Sequence, residues 1–127
     1  MLILSVHLCH DASICLLEDG HLKKYFLVER FTRKKHDENF PINAIKFCIK
    51  DNNLKFRDID YVVFYDKPFL KFERLLETYL AFAPKGFLSF CKALPIWLKD
   101  KLFQKKVILK ELYELDNNID WKNKLLF

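Results

Sequence analysis

The residues best suited to chemistry are His10-Asp11-Ala12-Ser13, at a bend between two short apolar runs, Leu2-Ile3-Leu4-Ser5-Val6 and Ile14-Cys15-Leu16-Leu17. Both runs have strand length. A turn between them presents backbone N–H groups and small hydroxyls at a sheet edge, which suits a phosphate or another anion. His10 would stand beside that anion as the proton-transfer group and Asp11 as the orienting group, with Ser13 among the hydroxyls. A purely structural role is open to the same residues, because Asp and Ser often satisfy turn backbone.

Other chemistries fit less well. Only two glycines occur, so the glycine-rich loops that cradle dinucleotides or nucleoside triphosphates are excluded. Cys9, Cys15, Cys48 and Cys91 include no C-x-x-C pair, which argues against zinc and thiol exchange. His7, Cys9 and His10 lie close in sequence, but strand alternation puts His7 and Cys9 on one face and sends His10 elsewhere. No metal site is expected from them. There is no charged-then-apolar leader, so a cytoplasmic protein with reduced thiols is expected.

A chain of 127 residues, 51% hydrophobic and 31% charged, is long enough for one globular domain and short for two. The net charge of +5 is local: residues 85–106 hold six lysines against Asp100, leaving 16 basic and 16 acidic residues elsewhere. A nucleic-acid binder would spread its basic residues more widely, so no nucleic-acid partner is expected.

The elements that position these residues follow from periodicity. Alternation predicts strands at about 1–8, 12–18 and 21–28, and the Asp19-Gly20 pair predicts a hairpin between the second and third. Glu29 closes the third strand. The run Arg30-Phe31-Thr32-Arg33-Lys34-Lys35-His36-Asp37 reads by itself as a solvated loop. Pro41 opens a helix whose apolar stripe is Ile42, Ile45, Cys48 and Ile49. Asp60–Tyr65 is apolar on both faces and reads as a central strand, returned parallel to the first by the helical crossover. Pro68 begins a long helix that ends at Ala83-Pro84-Lys85-Gly86. A second helix carries Phe87, Phe90, Cys91, Leu94, Trp97 and Leu98, with Pro95 expected to kink it. A weaker helix spans about 107–115, and Lys124–Phe127 resembles the start of a strand. Residues 79–98 are too often interrupted to span a bilayer.

This β-β-β-α-β order, with a polar turn after the first strand, is that of the ribonuclease H-like half-domain shared by actin-like ATPases and sugar kinases. A nuclease of that fold needs a carboxylate in the middle of the first strand, where Ser5 and His7 stand. A closer match exists. His10-Asp11-Ala12-Ser13, then Glu29 through Asp37, then Phe40-Pro41, resembles the start of the carbamoyltransferases of the nodulation-protein and antibiotic-tailoring type. The resemblance continues through Asp58–Pro68 and Phe72-Glu73-Arg74 and runs the length of the chain.

The resemblance implies an α/β domain similar to the tRNA-threonylcarbamoylation protein, here a truncated ribonuclease H-like/actin-like half-domain. Residues 1–127 would be one partial domain, with a β-β-β-α-β core at 1–66 and a helical insertion and the start of a fifth strand at 67–127. In such enzymes a second domain makes carbamoyladenylate from carbamoyl phosphate and ATP, and the first passes the carbamoyl group to a small hydroxyl acceptor. His10 and Asp11 match the family's catalytic pair. Ser13, Glu29, Arg30, Arg33 and Lys34 are then expected to bind substrate or phosphate, with Arg30, Arg33 and Lys34 as cations facing phosphate or adenylate or else as a loop clamp on the domain; the planar fork of arginine suits oxyanions. The family's His-His-x-x-His-Ala metal-binding pattern is absent here. ATP and a divalent metal are therefore expected only for the full-length family enzyme, and a complementing C-terminal polypeptide is the expected partner. Without it the chain is expected to be inactive and prone to association. The rival reading is a non-catalytic module whose basic amphipathic helix meets an acidic protein or, less readily, a membrane surface.

Overall fold

Alternation of side chains decides how the sheet is layered. In the computed structural model, which describes residues 1–8, 11–37, 39–98 and 103–127, strand β1 (Leu2–His7) sends Leu2, Leu4 and Val6 inward. Ile3, Ser5 and His7 take the other face. Strand β2 (Ser13–Glu18) pairs antiparallel with β1, setting Leu16 opposite Leu4 and Ile14 opposite Val6. Strand β3 (His21–Leu27) continues the meander. Asp19 (φ 49°) and Gly20 (φ 82°) both have positive φ, the conformation that Asp-Gly adopts in a two-residue hairpin turn.

The chain then makes one helical turn, α1 (Glu29–Thr32), and a full helix, α2 (Ile42–Asp51), which buries Ala44, Ile45, Cys48 and Ile49. A 3-10 turn at Phe56–Asp58 leads into β4 (Tyr61–Phe64), parallel to β1 with Tyr61 opposite Ile3. Asp60 clamps the start of that pairing. Its Oδ2 accepts from the Leu2 N–H at 2.6 Å, and its own N–H donates to the Leu2 carbonyl at 2.9 Å.

The structure divides into two units, residues 1–65 with 108–127, and residues 66–107. The second contains α3 (Pro68–Phe82) and α4 (Phe87–Trp97), with Tyr79 stacked on Phe90 at 4.2 Å between ring centroids. Its carboxylate Asp66 is buried and is met by Lys71 Nζ at 2.7 Å. Helix α5 (Gln104–Leu115) begins in this unit and ends in the first, followed by α6 (Trp121–Lys124) and β5 (Leu125–Leu126), parallel to β4.

The strand order is β3-β2-β1-β4-β5. This is a mixed α/β fold with a five-stranded mixed sheet and, among the described residues, six helices. It is consistent with part of a ribonuclease H-like/actin-like half-domain. The core joins Leu4, Val6, Ile14, Leu16, Val62, Phe64 and Leu125 of the sheet to Ile45 and Cys48 of α2, Ile108 and Leu112 of α5, and Trp121.

Two local expectations change. The third strand ends at Leu27, and the charged run opens with a helical turn because Phe31 leaves solvent to pack beside Phe26 and Phe47, with ring centroids at 6.0 and 5.4 Å. Lys124 ends a helical turn rather than opening a strand, and its ammonium donates to the Arg57 and Ile59 carbonyls.

Candidate functional site

The polar turn after β1 is held from three directions. The Val28 N–H donates to the Ala12 carbonyl at 2.9 Å, and the Ala12 N–H donates to the Asp37 carbonyl at 3.3 Å. His7 Nδ1 lies 3.4 Å from the Asp11 carbonyl oxygen. The Asp11 carboxylate meets His36 Nδ1 at 3.1 Å. The segment 28–37 therefore folds back beside Asp11. His10, like Cys9, lies outside the described residues; Asp11, Ser13, Glu29, Arg30, Arg33 and Lys34 lie within them.

These six residues line two hollows rather than one. Asp11 and Ser13 join Ser5, His7, Cys15 and Tyr25 around a groove of about 470 Å³ on the sheet face that α2 and α5 leave open. Ser13 is buried there, opposite His7 on one side and Leu27 on the other. Glu29, Arg30, Arg33 and Lys34, with Lys35, line a second hollow of about 320 Å³. Its shape comes from the backbone: Arg33 ends α1 in the left-handed conformation (φ 58°), with its N–H on the Glu29 carbonyl at 2.8 Å. Four cations gathered around one carboxylate make this hollow suited to an anion. The Asp11–His36 contact is the link between the two.

Three residues at this site, His36, His7 and Tyr65, escaped sequence reasoning. His36 sits inside the charged run with nothing in its spacing to distinguish it. His7 packs against Tyr65 with tilted rings, their centroids 4.6 Å apart, at the carboxyl ends of the adjacent parallel strands β1 and β4. Open α/β sheets bind ligands at that end. The alternation of Leu2, Leu4 and Val6 with Ile3, Ser5 and His7 is the signal that could have placed His7 on the face away from the core.

Asp37 organises the loop from within. It is buried, and its Oδ1 accepts from the Asn39 N–H at 3.1 Å and the Asn39 side-chain amide at 2.6 Å. The Asn39 N–H above all, then the Thr32 hydroxyl, hold the Asp37 carboxyl below its ordinary value. A carboxyl so depressed on folding stabilises the loop above the ordinary carboxylate range, and that stability is lost as pH falls through its folded pKa. The protection of the Ala12 and Asn39 amides against exchange, taken relative to their intrinsic rates at each pH, should therefore fall on acidification, and Asp37→Asn should abolish that step. An unchanged pH dependence in the variant would contradict this assignment.

Neither Cys15 nor Cys48 is prepared for thiolate chemistry. Burial pushes the Cys48 thiol up to about 11 and raises that of Cys15, so neither is poised as a thiolate. Among the described residues, no group of three or more His, Cys, Asp or Glu side chains is placed to hold a metal ion. Nor is any helix among them long and apolar enough to cross a membrane.

The structure is thus an α/β sheet with a polar turn at the carboxyl end of its first strand and a cationic loop beside it. The comparison with known families makes the class specific. The chain belongs to the family described as Carbamoyltransferase N-terminus, which it matches over residues 2–126. It is 49% identical over 106 residues to the uncharacterized protein sll1178 of Synechocystis sp., covering 84% of this chain and 17% of that relative. It is also 30% identical over 56 residues to the nodulation protein NolNO of Sinorhizobium fredii, covering 44% of this chain and 8% of the relative. The chain thus spans about a sixth of the length of the first relative and less of the second.

Proposed function

We propose that this chain supplies the group-transfer side of an O-carbamoyltransferase and works only with the rest of such an enzyme. The acceptor hydroxyl attacks the carbamoyl carbon of carbamoyladenylate. A C–O bond forms, the bond from that carbon to the phosphate oxygen breaks, and AMP leaves. His10 takes the hydroxyl proton, and a histidine of near-neutral pKa suits that task. Asp11 serves as the orienting group, and Arg30, Arg33 and Lys34, with Glu29 and Ser13, bind the adenylate phosphate and its surroundings. Carbamoyl phosphate, ATP and a divalent metal belong to the remainder of the enzyme, whose product is this domain's substrate. The setting is the cytosol, and no nucleic acid takes part.

The observation that carries this reading is the return of the 28–37 segment onto the turn at Asp11 and Ala12, which brings the Glu29–Asp37 stretch beside residues of the first family motif. The test combines the chain with a polypeptide carrying the part of the Synechocystis relative that follows its match. Carbamoyl phosphate, ATP and a panel of small hydroxyl compounds are supplied, and products are read by mass spectrometry. The mixture should yield a carbamoylated acceptor and each polypeptide alone should not. A mixture silent toward every acceptor would sink the proposal.

One observation favours the binding-module reading. Among the described residues of 66–107 no apolar side chain is buried. The α3–α4 pair also forms an apolar groove of about 460 Å³ edged by Lys71, Arg74 and Lys85. Because the apolar residues of α4 surround the helix instead of forming one stripe, enclosure by protein suits it better than a bilayer surface. The chain should accordingly stay in the supernatant with vesicles of phosphatidylcholine and phosphatidylserine. Pelleting that Lys105→Glu and Lys106→Glu abolish would favour the rival.

A further inference from the structure

We infer that the sheet face opposite α2 and α5 is the docking surface for the remaining part of a carbamoyltransferase polypeptide, which closes the groove beside His7 and Asp11. This rests on the function proposed above and names the partner of the same site.

The first reason is the handedness of chain connections. From β1 to β4 and from β4 to β5 the chain steps across the sheet in one direction. Parallel strands are joined by right-handed crossovers, so two steps in one direction place both crossover helices on the same face. The core agrees, since Ile45 of α2 and Ile108 of α5 meet the same sheet residues. Parallel strands are ordinarily covered on both faces, and β4 is apolar on both. On its second face Val63 stays partly exposed, while Tyr25, Tyr61 and Leu126 are exposed outright.

The second reason is the groove. Its floor is Ser5, His7, Asp11, Ser13 and Cys15, and it opens on this same face. A site that transfers a reactive carbamoyl group must exclude water, and the floor alone does not. The third reason identifies the occupant. The chain spans 17% of its Synechocystis relative, so about five sixths of such a polypeptide lies outside the matched segment. That length is ample to cover one sheet face and supply the missing wall.

Cys15 reports on this face directly, because its partly exposed thiol lines the groove while Cys48 is buried in the core. The chain is alkylated with iodoacetamide, alone and with the polypeptide carrying the part of the Synechocystis relative beyond its match, and each cysteine is read by peptide mass spectrometry. Binding should slow Cys15 labelling at least tenfold. Tyr25→Lys with Leu126→Lys should weaken the complex at least tenfold, while Lys110→Glu on α5, exposed away from this face, should leave it unchanged. Absence of a complex would overturn the inference. So would a complex in which Cys15 labels at its free rate, or protection that appears with rising concentration of the chain alone, which would make the occupant a second copy. A complex that protects Cys15 yet makes no carbamoylated product would keep the docking surface and remove the function. Product formation with Cys15 unprotected would do the reverse.

Discussion

Trp121→Ala is expected to unfold the sheet unit. The indole is fully buried in the cluster shared by sheet, α2 and α5, and its Nε1–H donates to the Asp116 carbonyl at 2.8 Å. Truncating a buried tryptophan costs about 3–5 kcal/mol through lost transfer energy and the cavity left behind. A domain of this size has only about 5–15 kcal/mol in total. Trp121→Phe would keep most of the apolar volume but leave the Asp116 carbonyl unpaired, at a cost of about 1–3 kcal/mol. Urea titration followed by far-ultraviolet circular dichroism checks the ranking. Val107→Ala, at an exposed position, should move the midpoint little. A Trp121→Ala protein as stable as the parent would show that α6 and β5 are not integral to the core.

The second large effect is on chemistry. His10→Ala in the complemented assembly is expected to lower carbamoyl transfer by about 10²- to 10⁴-fold, the usual contribution of a positioned general base. The loss should fall on kcat with the KM for the carbamoyl donor nearly unchanged, because a base acts on the proton in flight. Free imidazole should restore part of the rate. Docking of the second polypeptide, read as protection of Cys15, should be unaffected. Arg33→Ala should behave in the opposite way, raising KM for the donor by weakening its hold on phosphate. Full transfer activity in His10→Ala would assign proton removal to another group, and His7, in the groove beside Asp11, would be the first to examine.

The sheet was legible because its signals are local. Leu2, Leu4 and Val6 alternate with polar or partly exposed partners, and Asp19-Gly20 fixes the hairpin through two positive φ angles. The crossover through α2 followed from one clear apolar stripe. What escaped was decided at a distance. Phe31 looks like one apolar residue in a charged loop, and only the rings of Phe26 and Phe47 explain the helical turn it anchors. Strand β5, two residues long, is too short to show a periodicity, and the sequence marked it only as the start of a strand within Lys124–Phe127. The site divides in the same way. The motifs named Asp11 and the 29–37 segment, but the partnership of Asp11 with His36 and of His7 with Tyr65 comes from packing between elements. The groove's exposure follows from crossover handedness, a property of the whole sheet.

Strand β1 pairs with two neighbours of very different origin. Its antiparallel partner β2 lies just beyond the first bend, whereas its parallel partner β4 arrives only when Tyr61 meets Ile3. Loop-closure entropy makes the nearer pairing quick and the farther one slow. As the chain emerges from the ribosome, the meander should therefore assemble early and wait with one edge of β1 unpaired until the crossover is complete. Chaperone capture should be concentrated in that interval, and mutations that weaken β4 should lower yield in cells more than they lower the melting temperature of the finished protein.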